Sequence, residues 1–136
     1  MLQLEIVTPD RIAFSKQVDM VVVPSTRGAM GILPRHITLF AQLVEGELKI
    51  KIGNDEYYLA IGGGFIEVTK TKVIVLVTRA VNAGELNEQV ILTAKAKALA
   101  ALHERPTGES LAAAQLSLRQ TIVDLRILNK RKRRTH

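Results

Sequence analysis

Hydrophobic and polar residues alternate with a period of about two through the N-terminal part of the chain, from Leu2 to Arg79. The runs LQLEIV and ELKIKI alternate regularly, so each predicts a strand with one face toward solvent. The denser runs VDMVVVP and KVIVLVTR are rich in β-branched residues, which indicates strands covered on both faces or central in a sheet. Turn-forming residues separate these runs. The pattern predicts a β-sandwich or flattened barrel of about eight to ten short strands.

Beyond the strand region the hydrophobic period changes to about 3.6. NEQVILTAKAKALAALH predicts a first helix of roughly four turns with Asn87 as its N-cap. Its apolar stripe is expected at Val90, Ile91, Ala94, Ala98, Ala101 and Leu102. Pro106 breaks this helix, and a second helix of about 30 Å is expected from about Glu109 into the C-terminal tail. The apolar positions of the second helix are Leu111, Leu118, Ile122 and Leu125. We therefore expect an α+β chain, with a sandwich domain at residues 1–84 and an antiparallel helical hairpin at residues 85–136.

The composition excludes several classes of protein. The chain of 136 residues contains no cysteine, so disulfide frameworks and thiolate metal sites are ruled out. Tryptophan is absent and aromatic residues make up 4% of the chain, which argues against a base-stacking platform. No run of eighteen uncharged apolar residues occurs, and the N-terminus lacks the basic flank and apolar run of a signal peptide. We expect a chain that neither crosses a membrane nor carries an export signal.

Candidate catalytic groups are few. The glycines at 62–64 resemble a phosphate loop only superficially, because the segment YYLAIGGGFIEV returns to a strand and not to a helix; a tight bend or close approach between two strands is the favoured interpretation. His36 is the sole histidine of the strand region, and it has no acid or serine at a recognisable catalytic spacing. Acidic residues in strand-like positions are Asp19, Glu45, Glu47 and Glu67. No metal-ligand spacing occurs. The sequence predicts neither an enzyme nor a cofactor.

The basic charge is concentrated at the C-terminus. Lysine and arginine number 19 against 13 acidic residues, but five of these cations are consecutive, at Lys130–Arg134. The rest of the chain is nearly neutral. Such a cluster is either a solvated helix end favoured by the helix dipole or a contact for phosphates, anionic lipids or an acidic protein surface.

Three segments together carry a resemblance to a known family. GAMGILPRH, the later AIGGGFIEV and the following VIVLVTRA, in this order between a predicted sandwich and a helical hairpin, resemble the epsilon subunit of F-type ATP synthase. The resemblance covers essentially the whole chain. It implies a non-catalytic subunit of the central stalk that binds the gamma subunit and the ring of c subunits. It further implies that the helical hairpin extends into the catalytic head and inhibits ATP hydrolysis.

The resemblance also implies a set of contact residues. The interface with the c ring or the gamma subunit is expected at Gly28, Met30, Gly31, Pro34, Arg35 and His36. Glycines allow close backbone approach, Pro34 stiffens the loop, and Met30, Ile32 and Leu33 supply apolar area; alternatively, Ile32 or Leu33 is a core residue. Regulatory contacts with acidic parts of the catalytic beta and alpha subunits are expected at Arg119, Arg126, Lys130, Arg131, Lys132, Arg133 and Arg134.

The chain departs from the family pattern at several positions. Many relatives carry an acidic residue in place of Ala29 and glycine in place of Arg35, so the polar contacts to the ring are expected to differ. Some relatives bind ATP through an Ile-Asp-x-x-Arg-Ala motif, but QVILTA has Val90 at the position of the acid and Thr93 at that of the arginine. We therefore do not expect ATP binding by that chemistry.

The remaining hypotheses belong to other functional classes. One is a free-standing module that binds nucleic acid or an anionic membrane through its basic tail. The other is an unrecognised enzyme on a β-sandwich. The leading hypothesis implies a peripheral location at the cytoplasmic face of the bacterial cell membrane, with the plastid thylakoid as the alternative.

Overall fold

The computed structural model describes residues 1–35 and 37–134, and for residues 131–134 it describes the backbone alone. The chain divides into two compact units, Met1–Asn82 and a second that begins at Ala83. The strands of the first unit are β1 (Leu2–Val7), β2 (Ile12–Val18), β3 (Met20–Ser25), β4 (Gly28–Ile32), β5 (Leu39–Leu43), β6 (Gly46–Ile52), β7 (Asp55–Ile61), β8 (Gly64–Val68), β9 (Lys72–Val77) and β10 (Ala80–Asn82). The second unit contains a 3₁₀ turn (Ala83–Glu85) and the helices α1 (Glu88–His103) and α2 (Gly108–Arg134).

The ten strands form one continuous sheet that folds into a sandwich. Its order is β10-β7-β6-β3-β5-β8-β9-β1-β2, and β4 pairs with β3 from outside this path. Neighbouring strands are antiparallel except β1 and β9, which are parallel. The first half of β3 pairs with β6, while Ser25 at its end pairs with Leu43 of β5. Strand β3 therefore connects the two layers of the sandwich.

The alternating strand patterns place their apolar residues in one aliphatic core. Leu2, Leu4 and Ile6 of β1 are fully buried, and so are Leu48 and Ile50 of β6. Each of the other strands contributes at least one buried residue to the same cluster, and the contribution of β4 is Ile32. The prediction of a β-sandwich followed by two helices is confirmed.

The helices begin and end close to the predicted positions. Asn87 is the N-cap of α1, where its side-chain oxygen accepts a hydrogen bond from the Val90 N–H at 3.2 Å. The second helix has 27 residues and is about 40 Å long, which exceeds the predicted 30 Å because no breaker interrupts it before Arg134. The two helices pack against each other. No helix among the described residues is long and apolar enough to cross a bilayer.

The predicted apolar stripes of the helices are partly wrong. Val90 is 65% exposed and Ala101 is also exposed, whereas Ile91 and Ala98 of the same stripe are buried. In α2 the predicted Ile122 is 43% exposed. The buried residues of α2 are instead Ala114, Thr121, Asp124, Ile127 and Leu128. Their spacings of seven, three, three and one residues keep them on one face of the helix, whereas an offset of one residue rotates a side chain by about 100° around the axis.

Two of the three glycines at 62–64, Gly62 and Gly64, form a close approach between chain segments, which is the interpretation favoured from the sequence. A Cβ at Gly64 would lie 2.8 Å from the Cα of Val77 in β9 and would also meet the carbonyl of Leu76. A Cβ at Gly62 would meet the hydroxyl of Thr78. These glycines therefore let β7 turn into β8 directly against β9, and no helix follows them that could bind a phosphate.

We expect the substitution Gly64→Ala to destabilise the first unit by about 1–3 kcal/mol, because the added methyl group meets backbone atoms that cannot rotate away. Gly31→Ala is the matched control, since a Cβ at Gly31 meets nothing within 4 Å. Both tyrosines of the chain, Tyr57 and Tyr58, lie in β7, so tyrosine fluorescence during urea unfolding reports on this unit. Equal midpoints for the two variants would contradict the close approach.

Candidate partner interface

The hairpin between β3 and β4 is the first part of the predicted interface. The Ser25 hydroxyl donates a hydrogen bond to the Gly28 carbonyl at 2.7 Å and accepts one from the Arg27 N–H at 3.2 Å. Gly28 has a φ of 104°, which L side chains rarely adopt. Local hydrogen bonds and one glycine therefore fix this turn, and the turn presents Arg27 to solvent.

Strand β4 alternates between core and solvent. Ile32 is fully buried, and Met30 is half-buried and packs against the core. Ala29 and Gly31 are exposed. Of the apolar residues expected to face a partner, Ile32 is thus a core residue, and Met30 offers only part of its surface.

The loop after β4 carries the exposed apolar side chains. Leu33 is 55% exposed and Ile37 is 77% exposed, while Pro34 and Arg35 are exposed beside them. Arg35 has a φ of 65°, in the left-handed region that favours glycine. His36 lies outside the described residues. Ile37 was not among the predicted interface residues, although its position directly after them was a signal for it.

A second group of exposed apolar side chains lies on the outer face of β5, β8 and β9. The rings of Phe40 and Phe65 stack with their centroids 5.4 Å apart, and Leu76 pairs with Phe65 across the strands. All three are roughly half exposed or more. These three residues were not predicted as a surface group, although they stand at positions of the strand alternation where polar residues are expected.

The predicted regulatory residues lie on α2. Arg119 and Arg126 are exposed, and Lys130 is half-buried. Their spacings of seven and four residues place them along one side of the helix. The helical backbone continues through Arg134, but the side chains of Arg131, Lys132, Arg133 and Arg134 lie outside the described residues.

The acidic residues considered for catalysis have surface or structural positions. A carboxylate oxygen of Asp19 accepts a hydrogen bond from the Gly53 N–H at 2.6 Å, which braces the β6–β7 turn. Glu67 is exposed on the outer face of β8. Within residues 1–35 and 37–134, no three His, Cys, Asp or Glu side chains form a group able to hold a metal ion.

The carboxylate of Glu56, on the sheet surface, has a lowered pKa, caused by a neighbour in its own strand and by one in the adjacent strand. The Tyr58 hydroxyl donates a hydrogen bond to Glu56 at 2.7 Å, and Lys49 Nζ lies 3.2 Å from the same carboxylate. The hydrogen bond from Tyr58, followed by the contact with Lys49, lowers the pKa of Glu56 below its ordinary value. Lys49 and Tyr58 are register partners in β6 and β7. This shift reflects the sheet and does not indicate a reaction centre.

Fold and surface define a class of protein: a β-sandwich with an exposed hairpin and loop, followed by two helices with a basic end. Residues 1–83 match the family model for the ATP synthase, Delta/Epsilon chain, beta-sandwich domain. The chain is 42% identical to the ATP synthase epsilon chain of Dehalococcoides mccartyi over 133 residues, which cover 97% of this chain and 95% of the relative. It is 42% identical to that of Herpetosiphon aurantiacus over 134 residues, which cover 98% of each chain. The chain belongs to the ATP synthase epsilon chain family, as the resemblance predicted.

Solved structures show the same fold at lower sequence identity. One match is to a chain in the mitochondrial ATP synthase of Euglena gracilis, a structure of OSCP, F1 and the c-ring, with a TM-score of 0.79 and 22% identity, covering 92% of this chain and 79% of that one. Another is to a chain in the Tetrahymena thermophila mitochondrial ATP synthase, a structure of the central stalk and c-ring, with a TM-score of 0.54 and 15% identity, covering 64% and 70%.

We expect Arg35→Gly to stabilise the first unit by about 0.5–1 kcal/mol. Glycine removes the strain of the left-handed backbone, and this gain exceeds the loss that comes from the higher entropy of the unfolded chain. The measurement is urea unfolding followed by tyrosine fluorescence. Arg35→Ala is the control, since it removes the charge but keeps a Cβ. An equal gain in both variants would assign the effect to charge and not to the backbone.

Proposed function

We propose that this protein is a non-catalytic rotor subunit in the central stalk of an F-type, proton-translocating ATP synthase. It couples the catalytic head to the c ring and regulates ATP hydrolysis through its helices. The observation that carries the proposal is the 42% identity to an ATP synthase epsilon chain over 97% of this chain and 95% of that relative, because it includes the sandwich and both helices. The same proposal places the protein at the cytoplasmic face of the bacterial cell membrane, held there through the complex.

The sandwich is the part that binds the gamma subunit and the c ring. Gly28, Gly31, Pro34 and Arg35 are exposed along one hairpin and loop, and Leu33 adds exposed apolar area to them. Two features lower the entropy lost on binding: the turn is fixed by the Ser25 hydrogen bonds, and Pro34 restricts the loop. Met30 contributes the part of its surface that the core leaves free, and His36 completes the set expected from the family.

The helices supply the regulation. Arg119, Arg126 and Lys130 lie along one side of α2, and the positively charged segment continues to Arg134. Acidic residues of the catalytic beta and alpha subunits would bind this side of α2 when the helical hairpin extends into the catalytic head. An ATP-dependent switch of the known motif type is not part of the proposal. Val90 is uncharged and exposed, and the Thr93 hydroxyl donates to the Gln89 carbonyl at 2.9 Å.

We expect Ile37→Asp to weaken binding to the stalk partners by at least roughly tenfold, because it places a charge in an apolar contact that the partner covers. The wild type and the variant are each co-expressed with the cognate gamma subunit and c ring, and assembly is measured by affinity capture and size-exclusion chromatography. Ile12→Asp is the matched control, since Ile12 is 67% exposed on β2, away from the loop. If the wild type were captured by nucleic acid or anionic vesicles and not by these subunits, the free-standing binding module would replace the proposal.

We expect the double substitution Arg119→Gln and Arg126→Gln to raise ATP hydrolysis by the assembled enzyme about two- to tenfold at low salt. Each arginine would form an ion pair that stabilises the inhibited state by a modest free energy, and the substitutions remove both pairs. Lys95→Gln with Lys97→Gln removes two charges from α1 and serves as the control. High salt should bring the wild type toward the variant. Identical hydrolysis in all three enzymes at low salt would remove these arginines from regulation.

A further inference from the structure

Strand β4 is an edge strand whose outward hydrogen-bonding groups can be assigned. It pairs with β3 alone, and within the described part of the chain no other strand lies against it. The Pro24 carbonyl accepts a hydrogen bond from the Val44 N–H at 2.9 Å, so the backbone groups of Pro24 point toward β5. Because these groups alternate sides along a strand, Val23 and Ser25 of β3 are the residues that bond to β4.

The register then fixes which residues of β4 point outward. Val23 pairs with Met30 and Ser25 pairs with Gly28, so Met30 and Gly28 direct their backbone groups toward β3. Ala29 lies between these two residues and Gly31 follows Met30. Both therefore direct their N–H and C=O groups away from the sheet. Two donors and two acceptors thus stand at the spacing of a strand ladder, beside side chains no larger than a methyl group.

The other long edge of the sheet differs from β4. Strand β2 carries Lys16 within its exposed stretch, and a charge on an edge strand discourages pairing with another chain. Strand β10 is only three residues long. Strand β4 has no charged residue between Gly28 and Ile32, and a groove of about 540 Å³ borders it, lined by residues 25–30 and 39–42.

We propose that the free edge of β4 pairs with an extended segment of a partner subunit, through backbone hydrogen bonds at Ala29 and Gly31. This inference rests on the proposed function and specifies how the exposed hairpin binds. Exposed cations stand at both ends of the edge, Arg27 before it and Arg35 after it. The segment that fits is therefore free of proline, apolar at its centre and acidic at its ends.

The same charges argue against a second copy of this chain as the occupant. Two β4 strands paired antiparallel would bring Arg27 of each close to Arg35 of the other, and parallel pairing would place identical arginines side by side. Like charges on neighbouring strands destabilise the pairing. A partner with acidic ends has no such cost.

Residue-resolved amide exchange tests the proposal on the unmodified chain, alone and bound to the purified cognate gamma subunit or to the detergent-solubilised c ring in separate arms. We expect exchange at Ala29 and Gly31 to slow by at least roughly tenfold in one arm, while Met30, bonded to Val23, exchanges slowly in both states. Binding without any slowing at Ala29 and Gly31 would overturn the strand pairing and leave the proposed function standing. Binding to neither probe would overturn both.

A pair of variants gives an independent readout. Gly31→Pro removes the outward N–H without removing a bond to β3, and we expect it to weaken binding about tenfold with the urea midpoint of the first unit unchanged. Gly31→Ala adds a side chain but keeps the N–H, so it separates the effect of the lost donor from that of the added atoms, and we expect it to bind more tightly than Gly31→Pro. Equal binding by both variants would overturn the proposal. In the exchange experiment, concentration-dependent protection of the Ala29 and Gly31 amides in the chain alone would also overturn it, because the edge would then pair with a second copy.

Discussion

Strand β3 is the constraint on which the sandwich depends, because it divides its hydrogen bonds between the two layers. Its first half belongs to the layer of β6 and β7, and its end meets β5 of the other layer. Pro24 stands where this exchange takes place; its missing N–H and its carbonyl bond to Val44 orient the strand. The opposite side of β3 is left for β4, so the exposed hairpin follows from the way the two layers are joined.

The two units are stabilised to different degrees. The sandwich buries large aliphatic side chains from nearly every strand in one cluster. In the helical hairpin of α1 and α2, by contrast, two of the buried positions are alanines, Ala98 and Ala114, and two others are polar, Thr121 and Asp124. Less apolar area per residue gives a smaller free energy of unfolding, and helices of this kind depend on what they are docked against. A well-packed sandwich joined to helices with a smaller apolar core is consistent with the proposed function, in which the helices change position and the sandwich does not.

The sequence predicted the local features and missed those set by distant partners. Alternation in LQLEIV and ELKIKI identified strands, and Asn87 was recognised as a cap because its effect spans three residues. The parallel pairing of β1 with β9 leaves no local trace, since either strand would alternate in the same way beside any neighbour. Asp124 is buried although carboxylates are usually exposed, and no short-range pattern signals that. In the predicted interface, the exposure of the glycines was predicted from the sequence. The exposure of Ile37 and the left-handed backbone of Arg35 depend on the conformation of the whole loop, which no short-range pattern signals.

The position of β1 also determines when the sandwich can form during synthesis. Residues 3–7 pair with residues 72–76, so β1, which precedes the other strands of its unit along the chain, is completed by one of the last of them. Contacts so distant in sequence slow folding, because the intervening chain loses its entropy before they form. Strand β1 therefore cannot pair on this side until β9 has been synthesised, and β9 precedes α1 and α2 along the chain.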